Sequence, residues 1–371
     1  MCLLPESVSP ARYSRYIKEI SLSPRETWRE YLLGPHSRSL HGAVLLACCD
    51  AGIEIINQDR EELSSRFRLD ASNPEAQETL LNKLSTYKAA ARAGVPTPLF
   101  WEANGPEQVL DHKEEYVYPL LVKPLYSHKF STKFNRKFLL VDDFAQMMKA
   151  CRDVWKHGLG VVLLEMIPGP DDRLCSYYTY FDESGVPLFD FTKRIVRRYP
   201  ENEGLGCYHI TDRNPQVRDL ALRLFTSVGL LGLANAEFKL DERDGTLKII
   251  ECNCRFTAAN QLVAASGYDL GLFVYGRLAG VPYPTLMDRR YKEGMRLWYP
   301  GRDFLAFLEL RSKGKLSLLS WLASILHPMV LPYFSWSDPL PSISLLLALP
   351  WRALAYWNRR VARSHGDPGM E

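Results

Sequence analysis

Polar side chains recur at every second position in the apolar stretch 248–256, near the middle of the chain. Side chains alternate between the two faces of a strand, so this spacing predicts a strand with one polar and one apolar face. Glu251, Asn253 and Arg255 occupy the polar face. The residues predicted to face the core are Ile250, Cys252, Cys254 and Phe256. Such a strand fits a ligand-binding role, and a half-exposed antiparallel strand is the alternative.

The chemistry of the polar face indicates which ligand the strand would bind. A carboxylate and an amide oxygen two residues apart can hold a hard divalent cation. A guanidinium one pleat further along can bind a phosphate group beside that cation. Glu251, Asn253 and Arg255 therefore predict a site for a magnesium-bound nucleotide.

A second carboxylate is predicted to join this site through a hairpin. The apolar stretch 233–240 is interrupted by Glu237, and residues 241–246 connect it to the strand just described. An Asp-Gly pair in that connection is a strong hairpin signal. The hairpin would lay Glu237 beside Glu251 and Asn253.

Upstream of the hairpin, the pattern predicts a β-α unit and a long helix. The continuous apolar run 42–48 predicts a buried parallel strand, and a helix is predicted over 51–60. Asp50 lies between them, where it would either cap the helix or face a ligand cleft at the strand end. Capping is the preferred interpretation. Residues 74–93 predict one helix that ends at Gly94.

The middle of the chain supplies cations at strand ends. The apolar strand 118–124 contains Lys123 near its end, where an ammonium group could neutralise phosphate oxygens. The loop 126–137 is rich in Ser, Thr, Lys and Arg, a composition that suits a mobile flap over a triphosphate. A meander then leads into the cations Lys193, Arg194, Arg197 and Arg198. This run predicts nearby anions, and a solvated basic edge that blocks strand pairing is the alternative.

The remaining elements complete a mixed pattern of helices and strands. Residues 161–165 predict a buried strand that runs into a Pro-Gly turn. Further helices are predicted over 143–157, 214–228 and 263–278. The order of these elements predicts an α/β (α+β) protein.

Composition narrows the classes of function. The 371 residues are enough for two or three domains, and a hydrophobic fraction of 46% allows a sizeable core. A net charge of +3, without a basic run interleaved with aromatic residues, argues against a nucleic-acid partner. The eight cysteines form no CxxC pair, which favours reduced thiols in a cytoplasmic protein over a zinc site.

The C-terminal part has a different composition. Residues 315–336 are mostly aromatic and aliphatic, and a basic stretch follows at 359–363. A membrane span needs about 20 apolar residues, and Pro328 and Pro332 interrupt this run. Two interpretations stay open for 315–371: an interfacial helical hairpin that contacts a membrane peripherally, or a tail packed on its own domain or on a partner subunit.

Taken in order, these residues resemble the ATP-grasp superfamily of ligases. Its metal-binding strands carry a Glu on one strand and Glu-x-Asn-x-Arg on the next, as in AEFKL and IIECNCRF here. The phrase NKLSTYKAAARAGVPTP resembles the segment that opens the ATP-grasp domain. The likeness covers residues 40–285.

The resemblance implies a role for each matching residue. The nucleotide would be bound by Lys83, Lys123, Glu165, Met166, Ile167, Asp172 and Lys193, with the backbone of Met166 and Ile167 on adenine and Asp171 or Asp172 on ribose. Two Mg²⁺ ions, or Mn²⁺ in their place, would be held by Glu237, Glu251 and Asn253. Arg197 would contact the γ-phosphate and the substrate carboxylate, and Arg255 would neutralise developing charge.

The chain looks most like the carboxylate-amine ligase branch, a group similar to D-aspartate ligases. This implies an ATP-grasp fold with a truncated pre-grasp α/β domain at 1–82, an ATP-grasp domain at 83–290 and a helical apolar extension at 291–371. It also implies an ATP- and Mg-dependent, ADP-forming enzyme that joins a carboxylate, through an acyl phosphate, to an amine such as an amino acid or an envelope precursor. The Gly-rich turn expected after the first pre-grasp strand is missing, so the true start lies upstream or the small domain is incomplete.

Two other functions stay open. A nucleotide-binding scaffold could keep the fold and lose turnover. The chain could also be a membrane-peripheral component of envelope or exopolysaccharide assembly. The apolar tail makes a homodimer a reasonable expectation. Both substrates would be small molecules, and the sequence identifies neither.

Overall fold

The structure is a computed structural model that describes residues 2–4, 9–22, 24–126, 130, 134, 137–283, 285–286 and 290–347. The chain divides into two compact units. One comprises residues 1–36 and 331–371, and the other comprises residues 37–330. The three domains expected from the sequence, with boundaries after residues 82 and 290, stay a prediction.

In the first unit, two short parallel strands and a helix form the N-terminal part. Strand β1 (Cys2–Leu4) pairs with β2 (Ile20–Leu22), and helix α1 (Trp28–Leu33) follows. The carboxylate of Asp338 accepts the Arg15 N–H at 3.1 Å. The unit is therefore assembled from both ends of the chain.

The second unit begins with an extended segment instead of the strand predicted over 42–48. Among the described residues, its only ladder contact is an isolated parallel bridge between Val44 and Arg68. The prediction of a buried strand is therefore wrong. An apolar run becomes a strand only where neighbouring strands complete its backbone hydrogen bonds, and the pairing here is limited to this bridge. The helices α2 (Asp50–Gln58) and α3 (Arg60–Arg66) follow.

The helix predicted over 74–93 is two helices, α4 (Pro74–Leu81) and α5 (Lys83–Arg92). Asn82 separates them: its backbone is extended (ψ 116°), and its side chain accepts a backbone N–H of the second helix at 3.1 Å. Asn is favoured at helix caps because its side chain competes for backbone hydrogen bonds within a helix. The break places Lys83 at the first position of α5.

Four antiparallel strands form the first sheet: β3 (Phe100–Ala103), β4 (Leu120–Pro124), β5 (Leu139–Val141) and β6 (Val161–Glu165). Their order across the sheet is β3–β6–β4–β5. Helix α6 (Pro106–Asp111) follows β3, and α7 (Phe144–Trp155) follows β5. The side chains by which α7 packs on one face of this sheet include Met147, Cys151 and Val154.

Six strands form the second sheet, and each neighbouring pair is antiparallel. They are β7 (Leu174–Phe181), β8 (Phe191–Tyr199), β9 (Leu205–Thr211), β10 (Gly232–Asp241), β11 (Thr246–Asn253) and β12 (Arg296–Trp298). Their order is β11–β10–β7–β8–β9–β12. Tyr87 of α5 and Phe225 of α8 (Pro215–Ser227) are buried in the core that covers one face of this sheet. The other face carries the predicted polar site.

The helix predicted over 263–278 is also two helices, α9 (Asn260–Ala265) and α10 (Leu270–Ala279). Gly267 between them has a φ of 116°, which favours glycine. The side chain of Asp269 then caps α10. The prediction of one continuous helix is therefore wrong.

After β12 the chain forms α11 (Pro300–Ser312) and α12 (Leu318–Ile325). The indole Nε1 of Trp321 donates to the Asp303 carboxylate at 2.9 Å, which fastens α12 to α11. Leu319 on α12 remains 78% exposed. This part of the predicted apolar extension is therefore packed on its own unit along one side.

The membrane expectations concern the same region. Within the residues that the structure describes, no helix combines the length and apolar character needed to cross a membrane. Residues 348–371, including the basic end at 359–363, lie outside the described residues. Peripheral membrane contact through 315–371 and a homodimer stay predictions.

Candidate active site

Two glutamates face each other across the predicted β10–β11 hairpin. Glu237 is the cross-strand partner of Glu251, and Asn235 is the partner of Asn253. Side chains of directly opposed residues lie on the same face of a sheet, with Cβ atoms about 5 Å apart. Both glutamates are partly exposed, whereas Asn235 is fully buried. The hairpin therefore presents two carboxylates and the Asn253 amide on one face.

A β-bulge in β11 brings Glu251 opposite Glu237. Phe238 pairs with Ile249, so Ile250 is an extra residue between the two pairs. One extra residue shifts the alternation of side chains along the strand. Ile249 is therefore fully buried, while Ile250 is partly exposed. The prediction that Ile250 faces the core is wrong for this reason.

The Tyr87 hydroxyl supports the bulge by donating to the carbonyl oxygen of Ile250 at 2.6 Å. Tyr87→Phe removes this partner from a partly buried carbonyl, so we expect the free energy of unfolding to fall by about 1–3 kcal/mol. Chemical denaturation measures the loss. The control Tyr275→Phe changes an exposed ring, and we expect it to alter stability by less than about 0.5 kcal/mol. Equal stability of Tyr87→Phe and the wild type would contradict the support role.

The charges of two lysines from different elements act on Glu251. Lys83, at the start of α5, places its Nζ 3.6 Å from Glu251 Oε2. Lys123, near the end of β4, is 7% exposed. Burial and the charge of Lys83 lower the pKa of Lys123 to about 7, although Glu251 acts in the opposite direction. Both sheets therefore contribute to one polar cluster.

The two carboxylates differ in proton affinity. Burial and the charge of Glu251 raise the pKa of Glu237. Burial also opposes ionisation of Glu251, but nearby cations, Lys83 foremost, outweigh it and lower the pKa of this carboxyl. Facing carboxylates ionise together only where positive charge neutralises them. The pair is therefore suited to a cation.

The flap predicted over 126–137 is described only in part. Residues 127–129, 131–133 and 135–136 lie outside the described residues. Lys137 is exposed at the end of the loop. After the larger effects of burial and Lys83, its charge helps to lower the pKa of Glu251. The role of the loop as a flap stays a prediction.

Arg255 pairs with Asp50 at the start of α2. The Arg255 Nε donates to Asp50 Oδ1 at 2.5 Å. Cys49 occupies the N-cap position, and Asp50 is the first helical residue. The interpretation of Asp50 as the helix cap is therefore wrong, because its carboxylate is engaged by the guanidinium. A charge-assisted hydrogen bond of this kind fixes the orientation of Arg255 just beyond the end of β11.

The four cations of the basic run in β8 have different surroundings. Lys193 lies on the face of the sheet that carries Glu237. Ser176 is the cross-strand neighbour of both Glu237 and Lys193. The Lys193 Nζ donates to Ser176 Oγ at 3.0 Å. Burial lowers the pKa of Lys193, and the charge of Glu237 opposes that effect. The structure thus brings Lys193 to the predicted cluster.

Arg197 is held away from the carboxylates. The pairing of β8 with β9 is irregular between Ile195 and Arg197 and again between Arg197 and Arg198, which shifts the alternation of side chains. Arg197 donates from Nε and Nη2 to the fully buried Asp303 at 2.7 and 3.0 Å. Its guanidinium is therefore engaged in a buried ion pair and is not available to a substrate in this arrangement.

Arg198, the next residue, interacts electrostatically with Glu237 and Lys123. Its Nε donates to Asp171 Oδ1 at 2.6 Å. Its charge also opposes the rise that burial causes in the pKa of Glu237, and adds to the lowering of the pKa of Lys123. The cluster therefore includes Arg198, which the sequence identified only as a member of the basic run.

The chain is similar to known ligases and synthetases. A D-aspartate ligase of Enterococcus faecium (strain Aus0004) is 23% identical over 334 residues, which cover 84% of this chain and 79% of that protein. An N5-carboxyaminoimidazole ribonucleotide synthetase solved with ADP has a TM-score of 0.58 at 13% identity, covering 79% of this chain and 72% of the other. The L-amino acid ligase of Bacillus licheniformis has a TM-score of 0.50 at 19% identity, covering 65% and 59%. No family model matches the chain. The chain has the ATP-grasp fold.

The ATP-grasp fold confirms the fold class that the sequence motifs predicted. The two antiparallel sheets with flanking helices agree with the predicted α/β (α+β) architecture. The nucleotide bound by one similar protein is ADP. The predicted site residues of this ATP-grasp protein can therefore be compared with what each side chain contacts.

Glu165 and Met166, both predicted to bind the nucleotide, are engaged within the protein. The Glu165 carboxylate accepts the Leu99 N–H at 3.1 Å and pairs with Arg243. The Met166 N–H donates to the Pro119 carbonyl at 3.4 Å, a long hydrogen bond. These contacts tie β6 to its surroundings, and a role in binding adenine stays a prediction.

Lys239 binds Ile167, the other residue whose backbone was predicted to contact adenine. Its Nζ donates to the carbonyl oxygens of Ile167 and Gly169 at 3.0 and 2.8 Å. Burial and nearby Arg198 lower the pKa of Lys239 to about 8. Asp172, predicted to contact ribose, lies 3.5 Å from Arg173 Nη1 through its Oδ1. Its contact with ribose stays a prediction.

Sequence reasoning missed two polar residues near the candidate site that share a strand with Glu237. Asn235 and Lys239 lie two positions on either side of it in LANAEFKL. The alternation that identified Glu251 and Asn253 carries the same signal here. Both are buried, and both bind main-chain carbonyls. They support the surroundings of the site from within the sheet.

The donor set of this ATP-grasp protein fits a magnesium ion. Mg²⁺ prefers oxygen ligands and is usually held by one or two carboxylates together with substrate phosphates and water. In the described part of the chain, no group of three or more His, Cys, Asp or Glu side chains could hold a metal ion. A magnesium ion held by Glu237 and Glu251 would take its third protein ligand from the amide oxygen of Asn253.

Proposed function

We propose that the protein is an ADP-forming ligase that uses Mg-ATP to join a carboxylate to an amine. The observation that carries the proposal is the pairing of Glu237 with Glu251 beside Lys83 and Lys123. Two carboxylates suit a divalent cation, and two ammonium groups suit the phosphates that accompany it. The similarity to a D-aspartate ligase and to an ADP-bound synthetase supports the same reaction class.

The proposed reaction has two displacements. An oxygen of the substrate carboxylate attacks the γ-phosphorus of ATP, and the bond to the departing ADP breaks, which leaves an acyl phosphate. The nitrogen of the amine then attacks the acyl carbon, phosphate departs and the amine loses a proton. Positioning and charge neutralisation are the main contributions of a protein to phosphoryl transfer.

The chain supplies several cations for these steps. Lys83 and Lys123 would bind nucleotide phosphates, and Arg255, oriented by Asp50, would neutralise charge that develops during transfer. We assign to Arg198 the contact with the γ-phosphate or substrate that the sequence suggested for Arg197. Magnesium, when bound by Glu237, Glu251 and Asn253, would neutralise the phosphate oxygens. The number of ions, and the use of Mn²⁺, stay predictions.

An acidic amino acid is the first carboxylate to test, because the relative is a D-aspartate ligase. Hydroxylamine can replace the unknown amine, since it attacks an acyl phosphate to give a hydroxamate. We expect D-aspartate, or another carboxylate in a panel of amino acids, to give ADP and hydroxamate in equal amounts with Mg-ATP. The same mixture without carboxylate is the control. ADP binding without turnover for any carboxylate would favour the scaffold hypothesis.

The lowered pKa of Lys123 predicts a pH dependence of nucleotide affinity. Burial keeps this amine mostly neutral above pH 7, and phosphates favour its charged form. Binding then takes up a proton, so the affinity for metal-free ATP is expected to fall between pH 7 and 9, by at most about tenfold per pH unit. Calorimetry measures the slope. Lys123→Arg keeps the charge and should flatten the profile, and an unchanged slope in this variant would contradict the assignment.

A further inference from the structure

Asn235 is a fully buried amide beside Asn253, one of the proposed metal ligands. It precedes Glu237 by two residues on β10, and it is the cross-strand partner of Asn253 on β11. A buried amide is costly unless its polar atoms have partners. Both ends of this side chain have one, and the direction of each hydrogen bond can be deduced.

The hydrogen bonds fix which way both amides are turned. The Asn235 Nδ2 donates to the main-chain carbonyl of Tyr177 at 3.0 Å. A carbonyl oxygen only accepts, so the amino group of Asn235 must lie on that side. Its Oδ1 then faces β11 and accepts from Asn253 Nδ2 at 3.0 Å. The amino group of Asn253 is therefore the end that is engaged, and its Oδ1 is left for another partner.

The orientation of the Asn253 amide decides whether this side chain can coordinate a cation. A side-chain amide can coordinate a hard cation through its oxygen, whereas its amino group would present positive hydrogens to the ion. We propose that Asn235 is a positioning residue that keeps the Asn253 oxygen turned toward the cation held by the facing glutamates. The inference rests on the proposed function, since it concerns the same site. A chain of two hydrogen bonds therefore joins the Tyr177 carbonyl, the Asn235 amide and the Asn253 amide.

The test is Mn²⁺ binding rather than turnover. We would titrate Mn²⁺ in the presence of ADP, follow free Mn²⁺ by electron paramagnetic resonance, and measure ADP affinity separately with EDTA. Asn235→Leu removes both hydrogen bonds at similar volume. We expect a loss of about 10- to 100-fold in Mn²⁺ affinity, as for other groups that orient metal ligands. Metal-free ADP affinity should not change.

Two further variants separate positioning from general damage. Asn235→Ala removes the same hydrogen bonds without adding a branched side chain, and it replaces Asn235→Leu if that variant does not fold. Thr179→Val removes another buried hydrogen bond of the same sheet, from Thr179 Oγ1 to Phe189 O at 2.6 Å. We expect this control to lower stability and leave Mn²⁺ affinity unchanged. A fall in metal-free ADP affinity that matches the loss of Mn²⁺ affinity would overturn the inference.

A double-mutant cycle with Asn253→Ala tests whether Asn235 acts through Asn253. We expect no further loss of Mn²⁺ affinity when Asn235→Leu is added to Asn253→Ala, and an equal loss in both backgrounds overturns the proposal. Glu251→Gln tests the site itself. If it leaves Mn²⁺ affinity unchanged, the proposed metal site fails. If it weakens Mn²⁺ binding while Asn235→Leu does not, only the positioning role fails.

Discussion

Replacing Glu251 with glutamine is expected to lower kcat by about 100- to 1000-fold. The change removes one of two carboxylates that would hold the metal, and the remaining Glu237 then faces a neutral amide. The loss should appear in both ADP release and hydroxamate formation. Thermal denaturation checks that the variant remains folded.

Glu242→Gln is the matched control for this experiment. Glu242 follows β10 at the turn of the same hairpin, and its carboxylate pairs with Arg173 at 2.6 Å on the surface. We expect its rate to stay within about twofold of the wild type, because surface substitutions away from a site have small effects. A Glu251→Gln enzyme as active as this control would show that the carboxylate pair is not part of the reaction site.

Replacing Arg197 with methionine is expected to lower the free energy of unfolding by about 3–5 kcal/mol, because it breaks a buried ion pair and leaves one charge unpaired. Asp303 is fully buried and also accepts from the indoles of Trp298 and Trp321 at 3.0 and 2.9 Å. This carboxylate therefore links β8, β12 and α12. Urea denaturation measures the loss.

Two comparisons distinguish this structural role from direct contact with a ligand. Adding Asp303→Asn to Arg197→Met should restore part of the stability, because the unpaired charge is gone. ADP affinity of the folded Arg197→Met protein should stay within about twofold of the wild type. Unchanged stability together with a large loss of ADP affinity would instead return Arg197 to the binding site.

The hairpin that carries Glu237 and Glu251 could be predicted because its signals are local. An Asp-Gly turn sets the pairing of two adjacent runs, and alternation then decides which side chains share a face. The predicted face of Glu251 and Asn253 is the observed one. Lys83 was placed by resemblance and Lys123 by its position near a strand end, and the charges of both act on Glu251 in the structure.

The irregular pairing in β11 and β8 could not be predicted from the alternation of polar and apolar residues. In β11, Ile250 is an extra residue whose carbonyl is satisfied by Tyr87, a residue far away in the sequence. In β8, the irregular pairing with β9 exchanges the surroundings of Arg197 and Arg198. A bulge depends on the partner strand and on distant side chains, so a pattern along one strand does not contain it.

Other differences have separate causes. The run 42–48 has the composition of a buried strand, but strand formation requires partners that composition does not specify. The helix breaks at Asn82 and Gly267 were visible as capping and glycine signals, and apolar periodicity outweighed them in the prediction. A third cause is contact between residues that are distant in the sequence. Asp50 is an example, because its partner Arg255 lies 205 residues away.

The transfer of oxygen from the carboxylate substrate to phosphate tests the central claim most directly. The substrate that supports hydroxamate formation would be labelled with ¹⁸O in its carboxylate and turned over with Mg-ATP and hydroxylamine. Mass spectrometry would then measure the isotope in the inorganic phosphate. The account predicts one ¹⁸O atom in each phosphate released, because the carboxylate oxygen that attacks the γ-phosphorus departs with it. Unlabelled phosphate, or release of AMP in place of ADP, would contradict it.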